Sequence, residues 1–135
     1  MRFKFLEHTA DIKFQAFGTS KEKAFANSAY ALKEAIAGKV KIRGKIKKKF
    51  SVKGKDDSSL LYNFLEEILF LLDSSRFILS SVKSIKISEN KLNAEISGDR
   101  ASSYRFSNDV KAVTYNQMFV KKQSTGWIVQ VVLDA

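Results

Sequence analysis

The sequence predicts an α+β fold, with mixed or antiparallel sheets and two main helices. Three observations lead there. Apolar and polar residues alternate at both ends of the chain, over Arg2–Leu6 and Trp127–Leu133, which is the two-residue period of a strand. Two internal segments, around Phe25 and Phe64, carry apolar residues at helical spacing. Strand patterns follow one another in runs rather than alternating one for one with helices, so the parallel α/β architectures are disfavoured.

Each element can be justified in turn. Arg2–Leu6 alternates and predicts a strand. The corner His8-Thr9-Ala10-Asp11-Ile12 follows, and Ile12, Phe14 and Ala16 then alternate with Lys13, Gln15 and Phe17 up to Gly18. Thr19-Ser20-Lys21-Glu22 matches a capping box, with Thr19 as N-cap and Glu22 reaching back. Phe25, Ala29, Leu32 and Ile36 build the apolar face of a helix that Gly38 ends as a left-handed cap. Lys39–Lys53 is a basic β region, expected to form a hairpin turning near Gly44. Asp57 or Ser58 is expected to cap the second helix. Its wide face of Leu61, Phe64, Leu65, Ile68, Leu69 and Leu72 predicts burial between a sheet and its neighbours. Ile85 and Ile87, a turn at Ser88-Glu89-Asn90, then Leu92, Ala94 and Ile96 predict a hairpin. The polar stretch Ser97–Asp109 reads as a loop, Val110–Val120 as a long strand, and Gly126 closes the turn into the last strand. The expected order is β-β-α-β-β-α followed by strands.

Composition bounds the rest. A chain of 135 residues suits one domain, and 44% apolar content with 11 phenylalanines supplies a core. Its longest apolar stretch, Leu60–Leu72, is interrupted by Asn63, Glu66 and Glu67, too short and too polar for a membrane span. The alternating N-terminus does not read as a signal peptide, so the expected location is the cytoplasm. Absence of cysteine excludes disulfides, thiolate metal sites and cysteine nucleophiles. Lys plus Arg number 24 against 14 acids, a formal charge of +10. That excess suits either an acidic partner such as nucleic acid or a lysine-rich solvated surface. Lys45, Lys47 and Lys49 fall on one face of a strand opposite Ile46 and Phe50, so phosphate contact is the sharper reading and a protected strand edge the plainer one. A base-stacking platform is poorly supported, because the aromatic residue lies opposite the lysines.

The chemistry concentrates at the two ends. His8 is the sole histidine; a structural hydrogen-bonding role competes with catalysis, and no nucleophile-elbow spacing accompanies it. Asp11 between two strands suits a turn cap. Asp134 follows Val131-Val132-Leu133, where an aspartate must face water or meet a cation. If the last strand enters the sheet beside the first two, Asp11, Asp134 and the oxygens of Ala135 share one edge. Such carboxylates repel unless a proton or cation sits among them. Hard oxygen donors of this kind suit Ca²⁺ or Mg²⁺.

Three segments, Leu6–Gly18 (LEHTADIKFQAFG), Val110–Met118 (VKAVTYNQM) and Gly126–Ala135 (GWIVQVVLDA), together resemble the archease family, in order and over essentially the whole chain. One departure is Asn116, where family members often carry histidine. The resemblance implies an α+β fold with a smaller strand-helix-strand module inserted roughly between Lys39 and Gly98. It implies a non-catalytic activator of the GTP-dependent RNA ligase that joins tRNA halves after splicing. Such an activator promotes guanylylation of the ligase and multiple turnover, and broadens the nucleotides the ligase accepts. It further implies Ca²⁺, with Mg²⁺ or another divalent ion as the alternative, held by Asp11, Asp134 and Ala135, the last through main-chain or terminal oxygen. His8 and Lys111 are candidate partner contacts, and RNA enters at most indirectly. A stand-alone basic RNA-binding module, or a small metal-dependent hydrolase using His8 and Asp11, are the rival readings.

Overall fold

Alternation at the N-terminus yields two strands, β1 (Phe3–Leu6) and β2 (Ile12–Gly18), paired antiparallel from Phe3 opposite Ala16 to Leu6 opposite Lys13. The computed structural model describes residues 1–7 and 10–135. His8 and Thr9 lie outside the described residues, and with them the His8 assignment. Helix α1 (Lys21–Ala37) begins one residue later than the Thr19 cap predicts. Ser20 is the last residue with extended backbone, and its hydroxyl accepts the Lys23 amide hydrogen at 3.1 Å. At the other end Gly38 takes φ 63° and its amide donates to the Glu34 carbonyl at 2.8 Å.

The hairpin expected over Lys39–Lys53 does not form; one strand, β3 (Ile46–Lys53), does. Residues 38–45 are irregular because Ile42 turns into the core, where its carbonyl accepts the Ser80 hydroxyl at 2.7 Å. β3 finds its partner much later in the chain, at β5. Helix α2 (Asp57–Ser75) is capped by Asp56 rather than Asp57 or Ser58. The Asp56 carboxylate accepts from the Ser59 amide at 2.8 Å, and the Ser59 hydroxyl takes the Asp56 amide at 3.1 Å. Lys21 at the start of α1 pairs with Asp57 at the start of α2, 2.9 Å apart.

Strands β4 (Phe77–Ser88) and β5 (Lys91–Arg100) form the expected hairpin. Glu89 and Asn90 take φ 51° and 63°, the left-handed pair of a tight two-residue turn. The stretch read as a loop from Ser97 is still strand up to Arg100, which pairs with Phe77. Gly98 permits this: a side chain there would strike the Ile78 carbonyl and the Phe77 ring. A 3₁₀ turn, Ala101–Ser103, precedes β6 (Ala112–Gln123) and β7 (Gly126–Asp134). The observed order is therefore β-β-α-β-α-β-β-β-β.

All pairings are antiparallel, in two sheets of order β1-β2-β7-β6 and β3-β5-β4. Phe14, Ala16, Val129, Val131 and Leu133 share the core with α1 residues Phe25, Ala29 and Leu32. Phe64 of α2 joins the layers. Its ring lies 6.2 Å from that of Phe25 and 6.0 Å from that of Phe50 on β3, centroid to centroid. Burial of such a side chain contributes about 1.5–3 kcal/mol. Among the described residues no helix is long and apolar enough to cross a membrane.

Candidate functional site

Non-local register brings the start of β2 beside the end of β7. β2 and β7 pair through seven residues, ending at Ile12 opposite Leu133. One step beyond that pair stand Asp11 and Asp134. The chain reaches Asp11 through Ala10, whose φ of 68° puts a non-glycine residue in the left-handed region, a local strain of about 1–2 kcal/mol. Asp11 is half-buried and Asp134 exposed. On its other side Asp134 pairs with Ala112 of β6, and its carbonyl accepts the Lys111 amide at 2.7 Å. The backbone of Asp134 is thus held from the β6 side. Lys111 itself is exposed beside it. Of the predicted metal ligands, Asp11 and Asp134 are brought to one end of the sheet, and Ala135 follows directly.

The alternation of β7 sends Val129, Val131 and Leu133 into the core, so Gln130 and Asp134 belong to the opposite face. A ladder of polar side chains crosses that face. Gln15 Nε2 donates to Gln130 Oε1 at 2.9 Å, and Gln130 Nε2 donates to the Gln117 carbonyl at 2.8 Å. Lys13 Nζ donates to Gln117 Oε1 at 2.8 Å. The ladder exists because β6 is not the straight strand its apolar content predicts. Its pairing with β7 shifts between Thr114 and Phe119, and Gln117 sits at φ 55°. The Thr114 hydroxyl secures this bulge, donating to the Val132 carbonyl at 2.8 Å and accepting the Asn116 amide at 3.2 Å. Sequence reasoning missed the bulge and its glutamines; the polar run Thr114-Tyr115-Asn116-Gln117 inside a strand was the available signal.

The bulge also turns Tyr115 outward onto α2. Tyr115 is half exposed and stacks on Tyr62, ring centroids 4.2 Å apart and 9° from parallel. Glu66, one turn further along α2, is held above the usual carboxylate range chiefly by burial. A hydrogen bond from the Val113 amide opposes that shift.

The donor set at the corner suits a hard cation. Asp11 and Asp134 offer carboxylate oxygens, and Ala135 adds main-chain oxygen. Among the described residues no three Asp, Glu or His side chains group closely enough to hold a metal ion by themselves. A Ca²⁺ takes six to eight oxygens, so the corner fits as one part of a coordination shell that water or a bound partner must finish.

The chain is thus a two-sheet antiparallel α+β domain with an acidic corner where β2 and β7 meet. Residues 3–135 match the Archease protein family (MTH1598/TM1083), so the chain belongs to the archease family. Protein archease of Methanosarcina barkeri is 35% identical, covering 98% of this chain and 95% of the relative. That of Methanosarcina mazei is 37% identical over the same shares. The solution structure of protein 1598 of Methanobacterium thermoautotrophicum superposes with a TM-score of 0.83 at 28% identity, covering 99% of both chains. An archease of Thermotoga maritima, described as a possible chaperone, shares the fold with a TM-score of 0.66 at 21% identity, over 98% of this chain and 96% of its own.

Proposed function

We propose that this chain is a non-catalytic activator of a GTP-dependent tRNA-splicing RNA ligase. It promotes guanylylation of the ligase and multiple turnover, and widens the range of nucleotides the ligase accepts. Membership of the archease family supports the reading. The observation that carries it is the β2–β7 register, which ends with Asp11 and Asp134 one step past Ile12 and Leu133.

In this reading the corner is the working end. Asp11, Asp134 and the main-chain oxygen of Ala135 would hold Ca²⁺, or Mg²⁺ or another divalent ion in its place. Such an ion, when bound, supplies positive charge that offsets nucleotide phosphates. The chain's own contribution is placement. The β6 pairing holds the backbone of Asp134, the β2 pairing ends beside it at Leu133, and the Thr114 bulge shapes the surface nearby. Lys111 stands exposed where a ligase surface would approach, and His8, three residues before Asp11 in sequence, is the other candidate contact.

The test is transfer of labelled GMP to the cognate ligase, with and without this protein, in calcium or chelator. The protein should raise the rate, and Asp11→Ala should abolish the gain with the fold intact. An unchanged gain with Asp11→Ala would remove the corner from the mechanism, and no gain with the wild type would remove the activator role.

A further inference from the structure

The second sheet has one face packed on α2 and one face turned away from it, and the outer face is basic. Phe50 stacks on Phe64, and Leu92, Ala94 and Ile96 belong to the core, so these residues mark the inner face. Directly opposed residues in an antiparallel sheet share a face. Register then lays the outer face out in rows: Lys53, Lys91 and Ser88; Ser51, Asn93 and Lys86; Lys49, Glu95 and Ser84; and Lys47, Ser97 and Ser81, in the last of which Ser97 is buried and bonded to Ser81 at 2.7 Å. Lys47, Lys49, Lys53, Lys86 and Lys91 are all exposed. Glu95 is the only acid in the four rows. A shallow cleft of about 440 Å³ runs over the middle of this face, lined by Lys49, Ser51, Ser84, Lys86, Asn93 and Glu95 together with Phe50 and Ala94.

We propose that the outer face of the β3-β5-β4 sheet docks the sugar-phosphate backbone of an RNA strand. Charge complementarity selects the occupant: five ammonium groups against one carboxylate, interleaved with serine and asparagine donors. Alternate residues on a strand stand about 6.8 Å apart, the scale on which consecutive phosphates follow one another along a nucleic-acid strand. The rows contain no aromatic side chain, so contact is to backbone rather than to stacked bases, and binding is indifferent to sequence. The choice of RNA rests on the activator reading, in which the ligase handles RNA ends; the face would hold the substrate strand while the acidic corner serves the nucleotide.

The test is fluorescence anisotropy of a labelled mixed-sequence RNA of roughly twenty nucleotides, titrated with the full chain at several salt concentrations. The face variant Lys47→Gln/Lys49→Gln/Lys86→Gln is compared with Lys23→Gln/Lys39→Gln/Lys122→Gln, which removes the same charge from exposed positions outside this sheet. Circular dichroism melts should show both variants folded. The wild type should bind with a steep salt dependence. The face variant should bind about tenfold more weakly or worse, with the log–log slope reduced by about two. The control variant should behave nearly as the wild type.

Equal losses in the two variants, unchanged binding in the face variant, or no binding by the wild type would each overturn the proposal. Normal RNA binding with lost ligase binding in the face variant would assign the face to an acidic protein surface and overturn it as well. Guanylylation measured without RNA reads the activator role separately, so failure there leaves the RNA result standing on its own.

Discussion

The carbonyl of Asp134 accepts the amide hydrogen of Lys111 at 2.7 Å, while its neighbour Leu133 pairs with Ile12 on the opposite side. The last aspartate is therefore held through its backbone, and its exposed side chain is free of structural duty in the strand pairing. Asp134→Asn should leave the melting temperature nearly unchanged, since surface substitutions of this kind fall within about 0.5 kcal/mol. The same variant should lose ligase stimulation. A thermal melt and a guanylylation assay on one preparation check both halves.

Gln130 is 8% exposed, bonds to Gln15 on one side, and donates to the Gln117 carbonyl on the other. Gln130→Ala removes both bonds and leaves the Gln117 carbonyl and the Gln15 amide to find water. The expected cost is about 1–3 kcal/mol, read by denaturant unfolding. Gln130→Leu fills the space without restoring the bonds, so it should fold but remain less stable than the wild type.

A pH dependence follows from Asp99. The Tyr104 hydroxyl donates to its carboxylate at 2.6 Å and the Arg100 amide donates at 2.8 Å. Those two bonds, in that order, hold Asp99 below the usual carboxylate range, with Lys45 and Arg43 assisting. A carboxylate lowered in the folded state contributes stability above its unfolded pKa, and loses it as pH falls through the folded value. Tyr104→Phe should therefore lower the melting temperature at neutral pH, and the gap to the wild type should narrow as pH drops below the ordinary carboxylate range. The variant also deprives the Arg43 amide of its acceptor, the Tyr104 oxygen at 2.9 Å.

Phe64 is fully buried between Phe25 and Phe50, so one ring ties α1, α2 and β3 into a single core. Phe64→Ala should cost about 3–5 kcal/mol, the largest loss among these substitutions. Chemical denaturation followed by far-UV circular dichroism measures it.

Periodicity made most of the fold legible, and its failures have physical causes. Helix caps slipped by one residue at α1 and by one or two at α2, because Thr19 and Ser20, like Asp56, Asp57 and Ser58, are each competent caps. The residue that keeps extended backbone is decided by where the preceding strand or loop releases the chain. The Lys39–Lys53 hairpin failed because alternation reports a strand but not its partner, and the partner lies across α2 and β4 in sequence. The bulge at Thr114 was hidden by the apolar residues around it. At the site, Asp11 and Asp134 were visible as misplaced acids beside strands. Their meeting depended on β7 inserting between β2 and β6, which no local pattern encodes.

The most direct measurement is a calorimetric titration of Ca²⁺ into the full chain, its Asp11→Asn and Asp134→Asn variants, and the double variant. The account predicts one site in the wild type, weakened about tenfold or more by either substitution, with the double variant no worse than the sum of a single lost site allows. Calcium binding by both single variants as tight as that of the wild type would contradict an ion shared between Asp11 and Asp134.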